Sequence, residues 1–311
     1  MKLLPITWDG VHDGSGYLFS LAKSLSCAVR NSPYADVADD IVATSGFAFR
    51  MWVSADLCPS ATSIWSFDGQ KPWVENGGLK CDYVGRYWDQ DDIEEQKRLE
   101  AIANIKKSID SGIPAVSWDI GVPEWGLIIG YDDETQTFAT LPINAATYDP
   151  ASPANLPYDV LGKRDLPLLS VLTVTGMSGK SKESILYDTK KLAAFHLKGG
   201  EWAGNAKGLE GYPALIRHFE GSFNPDISWN MEYFLGTFGE LKYYAWKYFE
   251  KMNETELAEL YKSVYESWTA AFALKTTSDI GAADVRAKIA ALLKSAWECE
   301  VRAVELMADG V

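Results

Sequence analysis

The sequence is poor in the side chains that bind metals or form disulfides. Its 311 residues include three histidines and four cysteines. The cysteines, at positions 27, 58, 81 and 299, form no CxxC or CxC pair, and the histidines form no HxH or HxxxH pair. Zinc sites and disulfide frameworks need closely spaced ligands or a denser set of cysteines. We therefore predict free thiols, no bound metal and no cofactor.

Positive charge and long apolar runs are also scarce. There are 29 Lys and Arg against 43 Asp and Glu, which gives a net charge of -14. Nucleic acids and anionic membrane surfaces are bound by clustered basic residues, so we expect neither as a partner. No stretch approaches the ~18 to 20 apolar residues of a membrane span, and the N-terminus lacks a signal-peptide pattern. We predict a cytoplasmic protein without membrane association.

What the chain has in quantity is apolar and aromatic side chains. It is 47% hydrophobic and contains twelve Trp, enough to fill a sizeable core. Its length is about twice that of a typical domain. The composition changes near residue 181, so we predict an α+β domain over residues 1–180 and a helical domain over residues 181–311.

The first half contains both helical and strand patterns. Apolar residues at spacings of three and four predict a helix over 16–30, and a shorter helix is expected over 36–44. The charge order and terminal Gly112 of residues 90–112 predict another helix. Short apolar or aromatic runs predict strands over 45–53, 113–120, 126–133, 137–143 and 166–176. The Pro-, Gly- and Ser-rich segment 54–88 is expected to be an ordered loop.

The second half shows helical spacing throughout. Its aromatic and Met stripes, such as Tyr244, Tyr248 and Met252, are typical of the core of a helical bundle. We therefore predict an all-α bundle.

Several segments together resemble a known family. They are SGFAFR (45–50), SIDSGIPAVSWDIGVPEWGLIIGYDDE (108–134), LPLLSVLTV (166–174), GLEGYPALIRHFEG (208–221) and GELKYYAWKYF (239–249). In this order they resemble the papain-like cysteine peptidases of the bacteriocin-leader-processing type. The likeness is closer to the butirosin-biosynthesis H protein family, whose members join such a domain to a helical C-terminal region. The resemblance implies a papain-like antiparallel sheet domain with an N-terminal helix, followed by an all-α bundle.

The resemblance also implies where catalytic residues would stand. The family's nucleophilic Cys lies in the first turn of the first long helix, a place taken here by Ser15 or Gly16. Cys27 lies about eleven residues further on, some three helical turns away. The family's His base corresponds to Glu124, and its orienting acid or amide corresponds to Leu141. All three roles are altered, so we predict a catalytically degenerate site.

We expect the degenerate site to bind a small molecule or a peptide in a cleft between the sheet domain and the helical domain. The candidate ligand-binding residues are Arg50, Asp119, Glu124 and Trp125, with Ser15 and His12 nearby. Carboxylates and Trp side chains around a tight turn are a mixture suited to recognition. A structural interpretation stays open, in which Asp119 bonds its own loop, Arg50 is an ion-pair partner and HDGSG is a capped turn.

Two further functions stay open. In the first, the chain is an acyltransferase or amide hydrolase of the butirosin H type, in which Ser15 and His12 form a local pair of nucleophile and base, and Glu124 is a further catalytic candidate. Cys27 could replace Ser15 as the nucleophile if the first helix starts later than residue 16. In the second, the aromatic helical half makes a structural protein or a homodimer.

Overall fold

The computed structural model describes residues 1–63, 65–143, 154–164, 166–201 and 204–309, and these combine an antiparallel sheet with many helices. The strands of these residues are β1 (Lys2–Leu3), β2 (Trp52–Val53), β3 (Leu79–Arg86), β4 (Ala115–Ser117), β5 (Gly126–Asp132), β6 (Thr137–Leu141), β7 (Ala154–Pro157), β8 (Leu169–Met177) and β9 (Ala206–Lys207). The helices are α1 (Ser20–Arg30), α2 (Asp40–Thr44), α3 (Gln70–Asn76), α4 (Glu94–Asp110), α5 (Lys182–Leu197), α6 (Gly211–Glu220), α7 (Ser228–Lys251), α8 (Thr255–Thr277) and α9 (Ala283–Asp309). The fold is therefore mixed, with a helical C-terminal region.

The chain divides into two compact units. The first contains Met1–Val11, Ser20–Ile41 and Phe67–Gly179, and the second contains His12–Phe19, Val42–Ser66 and Lys180–Val311. The last division, between residues 179 and 180, lies next to the position at which the sequence composition changes. Two earlier segments, 12–19 and 42–66, belong with the C-terminal helices, a grouping that local sequence patterns do not indicate.

The first unit is built on a sheet with the strand order β3-β8-β4-β5-β6-β7, and β1 pairs with β5. All its strand pairs are antiparallel. The helix α4 packs Ile105 and Ile109 into a core that also contains Val84 of β3 and Val171 of β8. Burial of these branched side chains removes their apolar surface from water and is the main stabilising term of this layer.

One glycine in β5 is required by the close approach of another strand. Gly130 lies opposite Leu3 of β1, and a Cβ atom at position 130 would be 2.5 Å from the carbonyl oxygen of Lys2. Any side chain there would displace β1 from the sheet. Gly130 is thus an interior residue of a strand, and the turn that follows β5 comes later, at residues 133–136.

Three sequence-based expectations for the first 90 residues are corrected. The first long helix begins at Ser20, four residues after Gly16, whose φ of +78° is incompatible with a continuous α-helix. The expected loop 54–88 contains α3 and β3, and the expected strand 45–53 is reduced to β2 after a 3₁₀ turn at Phe47–Phe49. β3 escaped prediction because its apolar and polar residues alternate only from Leu79 to Tyr83, within a segment rich in turn residues, while its pairing with β8 holds all of Leu79–Arg86 extended.

The second unit holds a buried polar network that links four of its helices. Lys242 of α7 and Glu300 of α9 are 1% and 0% exposed, and Nζ lies 2.8 Å from Oε1. The hydroxyl of Tyr212 in α6 donates to Glu300, and Nε1 of Trp268 in α8 donates to that hydroxyl. Two charges removed from water are tolerated only when each retains its partner. The network therefore fixes the pairing of α6, α7, α8 and α9.

In the part of the chain that the structure describes, no helix is both long and apolar enough to cross a membrane.

Candidate functional site

A serine stands at the start of the first helix and contacts a glutamate. Ser20 is the first residue of α1 and is 5% exposed. Its hydroxyl donates to Oε2 of Glu124 at 2.5 Å and accepts the backbone N–H of Trp125 at 3.3 Å. Unpaired backbone N–H groups and the positive end of the helix dipole gather at this terminus. Within the described part of the first unit, Ser20 is the serine that contacts Glu124, the residue at the position where the resemblance puts the base.

The loop before β5 places Glu124. Its N–H donates to the carbonyl of Val122 at 2.6 Å, and its carbonyl accepts the N–H of Ile120 at 3.1 Å. These short-range hydrogen bonds fix the backbone at Glu124 and Trp125, just before β5 begins at Gly126. Burial raises the pKa of Glu124, and the hydrogen bond from Ser20 partly opposes the rise. The carboxyl group thus keeps its proton to a higher pH than an exposed glutamate does.

No polar side chain stands at the third position that the resemblance marks. Leu141 ends β6, pairs with Leu127 of β5 and is 0% exposed. The next residue, Pro142, offers its carbonyl to Nε1 of Trp8 at 3.1 Å. The side chain of Leu141 cannot accept or donate a hydrogen bond, so it cannot orient Glu124.

Asp119 holds its own loop together. Its φ is +60°, an unusual value for a residue other than glycine. Its carboxylate lies 3.3 Å from Arg164, which also donates to the carbonyl oxygens of Asp119 and Gly121. The arginine therefore ties the loop down at three points, as in the structural interpretation left open above.

Trp125 belongs to the core of the first unit. It is 0% exposed, and its ring centroid lies 5.5 Å from those of Phe67 and Trp118. Edge and tilted contacts of this kind stabilise packed aromatic clusters. A ligand on the surface would meet the backbone of Trp125 and not its indole ring.

Arg50 lies in the second unit and is engaged on several sides. Its Nε is 2.9 Å from Glu201, its Nη1 donates to the carbonyl of Thr62, and its guanidinium lies over the rings of Trp52 and Trp65. Burial lowers the pKa of Arg50, while the ion pair with Glu201 opposes the change. A buried arginine held in this way has a structural role, so Arg50 is not part of the binding site proposed for this chain.

Ser15 and His12 also lie in the second unit, and both are arranged around Glu240. The carboxylate of Glu240 accepts the N–H of Ser15 at 2.7 Å and lies 3.3 Å from Nε2 of His12, whose ring stacks on Tyr243 at 3.6 Å. The Ser15 hydroxyl accepts from the N–H of Tyr17 and donates to the carbonyl of Gly236. The Ser15 hydroxyl and the His12 ring thus have separate partners, although Glu240 also accepts the backbone N–H of Ser15, and Ser15 stands in a loop because the helix begins at Ser20.

The environment of Glu240 favours its ionised form. Burial raises the pKa of Glu240, but hydrogen bonds from His12 and from the backbone N–H groups of Ser15 and Gly14 outweigh it and lower the pKa overall. A carboxylate held charged in this way organises the segment 12–15 and is a poor proton acceptor.

Cys27 is inert in this structure. Although the helix starts later than the sequence suggested, the thiol lies two turns beyond Ser20, is buried, and donates to the carbonyl of Thr7. Burial raises its pKa to about 12. A nucleophilic cysteine needs a lowered pKa and access to the reagent, and Cys27 has neither.

Sequence reasoning missed Ser20 because it placed the helix start too early. One signal was available: glycines at 14 and 16 interrupt any helix, so the first turn has to follow them. Among the described residues, no group of three or more His, Cys, Asp or Glu side chains is arranged to hold a metal ion. No protein-family model matches the chain, and no match is found among the curated proteins.

Proposed function

We propose that this chain is a papain-like protein whose catalytic residues have been replaced and which binds a small molecule or a peptide beside Ser20 and Glu124. The observation that carries the proposal is the hydrogen bond between these two side chains. They stand at the start of the first helix and just before β5, the two places at which the resemblance puts its nucleophile and its base.

Three features favour binding over catalysis. The Ser20 hydroxyl is buried and engaged by Glu124 and the N–H of Trp125. A carboxyl group removes a proton from a hydroxyl far less readily than an imidazole removes one from a thiol. The position of the orienting residue holds Leu141, so the base has no third group behind it.

A second candidate function is serine-dependent acyl transfer or amide hydrolysis. The same hydrogen bond favours it, because nucleophile and base are within reach of each other at a helix N-terminus. Burial also raises the pKa of Glu124, which makes it a stronger base once ionised. In this mechanism Glu124 would take the proton of Ser20 as the hydroxyl oxygen attacks an acyl carbon.

A fluorophosphonate probe separates the two functions, because it phosphonylates activated serines. The full chain is incubated with the probe near neutral pH and examined by intact and peptide mass spectrometry. Our proposal expects no stoichiometric adduct on Ser20. An adduct that is lost in Ser20→Ala and retained in Ser24→Ala, a buried serine of the same helix, would establish the enzyme instead.

Binding is tested with a panel of tripeptides that are acetylated at the N-terminus and amidated at the C-terminus. We expect at least one to raise the thermal midpoint of the wild-type chain, and to do so less for Glu124→Gln, which keeps the shape of the side chain. The proposal fails if no member of the panel binds, or if Glu124→Gln binds every member as well as the wild type does.

A further inference from the structure

A cavity of about 240 Å³, lined by both polar and apolar side chains, lies in the first unit, away from Ser20 and Glu124. Its walls come from α4, from β3 and β8, and from the segment that follows α1. The polar side chains that line it include Tyr34, Asp82, Asn104, Lys107, Thr173 and Thr175. Tyr34 follows the C-terminal end of α1 and Ser20 begins that helix, so the two lie at opposite ends of about 15 Å of helix.

The cavity exists because the apolar layer under α4 ends early. Along β3 and β8 the side chains that face α4 alternate, and Val84 and Val171 belong to the core. Two residues further along each strand stand Asp82 and Thr173, which are directly paired across the strands. The sheet surface therefore changes from branched apolar side chains to a carboxylate and a hydroxyl.

The helix changes in the same way on its facing side. Ile105 and Ile109 of α4 enter the core, while Asn104 and Lys107, three residues apart, line the cavity. Residues at that spacing lie on one side of a helix and can contact one ligand together. A carboxylate on the sheet thus faces an amide and an ammonium on the helix.

Within the described residues these groups make no direct hydrogen bond or ion pair, although the charge of Asp82 also attracts Lys71. Thr173 is 2% exposed, and within the described parts of the chain its hydroxyl makes no hydrogen bond. Over those same ranges, the side chains of Asp82, Asn104 and Lys107 make no hydrogen bond and no ion pair. Lys107 is exposed and Asp82 and Asn104 are half-buried, so their side chains are open to a ligand that enters the cavity, while the buried hydroxyl of Thr173 gains a partner only from such a ligand.

The charges decide which ligand fits. An anion would be repelled by Asp82 and a cation by Lys107, whereas a molecule with both charges would be attracted by both walls. A single carboxylate is too few for a divalent cation, which prefers several oxygen ligands. Each water occupies about 30 Å³, so a cavity of about 240 Å³ has room for about eight waters. A ligand with about eight non-hydrogen atoms fits this volume.

We propose that this cavity binds a small zwitterion, an α-amino acid with a short side chain. Its ammonium group contacts Asp82, its carboxylate contacts Lys107 and Asn104, and the hydroxyl of Thr173 adds one hydrogen bond. Tyr34 covers the side chain of the ligand. The inference does not depend on the function proposed for Ser20 and Glu124, because the residues of the two places differ.

The test is calorimetric titration of the full chain with individual free amino acids, supported by thermal denaturation. We expect at least one short amino acid to bind, and the affinity to fall at least tenfold in Asp82→Asn and in Lys107→Gln. The matched controls are Asp92→Asn and Lys97→Gln, which remove the same charges from the surface before α4 and from α4 itself outside this cavity. These controls keep the wild-type affinity.

Ligand analogues test the assignment on the unaltered chain, should a variant fail to fold. The methyl ester lacks the carboxylate and the N-acetyl derivative lacks the ammonium, so each binds at least tenfold more weakly than the parent amino acid. Three results overturn the inference: no amino acid binds at millimolar concentration, the analogues bind as well as the parent, or Asp82→Asn and Lys107→Gln leave the affinity unchanged. The blocked tripeptides used for the Ser20 site carry neither charge, so failure of one proposal is distinguishable from failure of the other.

Discussion

Replacing Ser20 by cysteine and Glu124 by histidine is the most direct test of the geometry described here. The double variant Ser20→Cys/Glu124→His puts a thiol at the start of α1 and an imidazole at the place where a carboxyl group now contacts the hydroxyl. If the backbone has the arrangement of a cysteine peptidase, the two introduced groups form a thiolate–imidazolium pair.

The size of the effect follows from the distance between the side chains. The present oxygen–oxygen distance is 2.5 Å, and a larger sulfur would bring the charge centres to roughly 4 Å. Two opposite charges about 4 Å apart attract by about 4 kcal/mol at an effective dielectric constant of about 20. Since one pKa unit corresponds to about 1.4 kcal/mol, the thiol pKa falls by about three units.

The reference is the double variant Ser20→Cys/Glu124→Gln, because its amide carries no charge and because burial raises the thiol pKa in both proteins and so cancels in the comparison. Absorbance near 240 nm, where thiolate absorbs, is recorded as a function of pH, and circular dichroism verifies the fold. Equal titration midpoints in two folded variants would show that residues 20 and 124 do not have the geometry of a catalytic pair. The papain-like interpretation would then lose its main structural support.

Three further predictions concern stability and reactivity. Lys242→Met leaves the carboxylate of Glu300 buried without its partner, so urea unfolding should show a loss of about 3–5 kcal/mol, most of it recovered in Lys242→Met/Glu300→Leu; equal losses in both variants would contradict this. Because burial raises the pKa of Glu124, the folded chain binds more protons than the unfolded chain between the ordinary carboxyl pKa and the raised one, and wild-type stability falls as pH rises through that window. Glu124→Gln removes this fall, so its stability relative to wild type should grow between pH 4 and 8 by about 1.4 kcal/mol for each unit of the rise, and parallel curves would refute the argument. Burial raises the pKa of Cys27 and of Cys81 to about 12, so both should react slowly with iodoacetamide near neutral pH and faster in urea; rapid labelling of native Cys27 would overturn its assignment as inert.

The sequence was most informative where periodicity and packing agree. The helices of the second half could be predicted because their apolar residues recur at three and four positions and their ends are marked by turns. The strands around Gly130 could be predicted because their apolar runs are bounded by turn residues. Both patterns depend on neighbours in sequence.

Features that depend on distant residues could not be predicted. β3 carries Lys, Asp and Gly, and its extended form depends on pairing with β8, some 90 residues later. The segment 12–19 belongs to the helical unit, where Glu240 fixes its backbone, and that contact is invisible in local sequence. The first helix begins at Ser20, four residues later than Gly16, the start that the sequence predicted. The place where the resemblance puts the nucleophile is therefore occupied by Ser20 and not by Ser15 or Gly16.

One of the two residues of the candidate site was named from the sequence. The resemblance puts its base position at Glu124, which lies two residues before β5. Its partner could not be found in that way, since a loop of uncertain length precedes α1. The burial of Trp125 was equally hidden, because it results from Phe67 and Trp118, two rings brought to it by the fold.

The place of Glu300 also determines when the second unit can finish folding during synthesis. Lys242 and Tyr212 leave the ribosome earlier than their common partner, which lies in the last helix. Until α9 emerges, both side chains must stay in contact with water, since their enclosure without Glu300 would leave polar groups unpaired. The helices synthesised earlier therefore keep an open arrangement, and the bundle closes only after α9 has been synthesised.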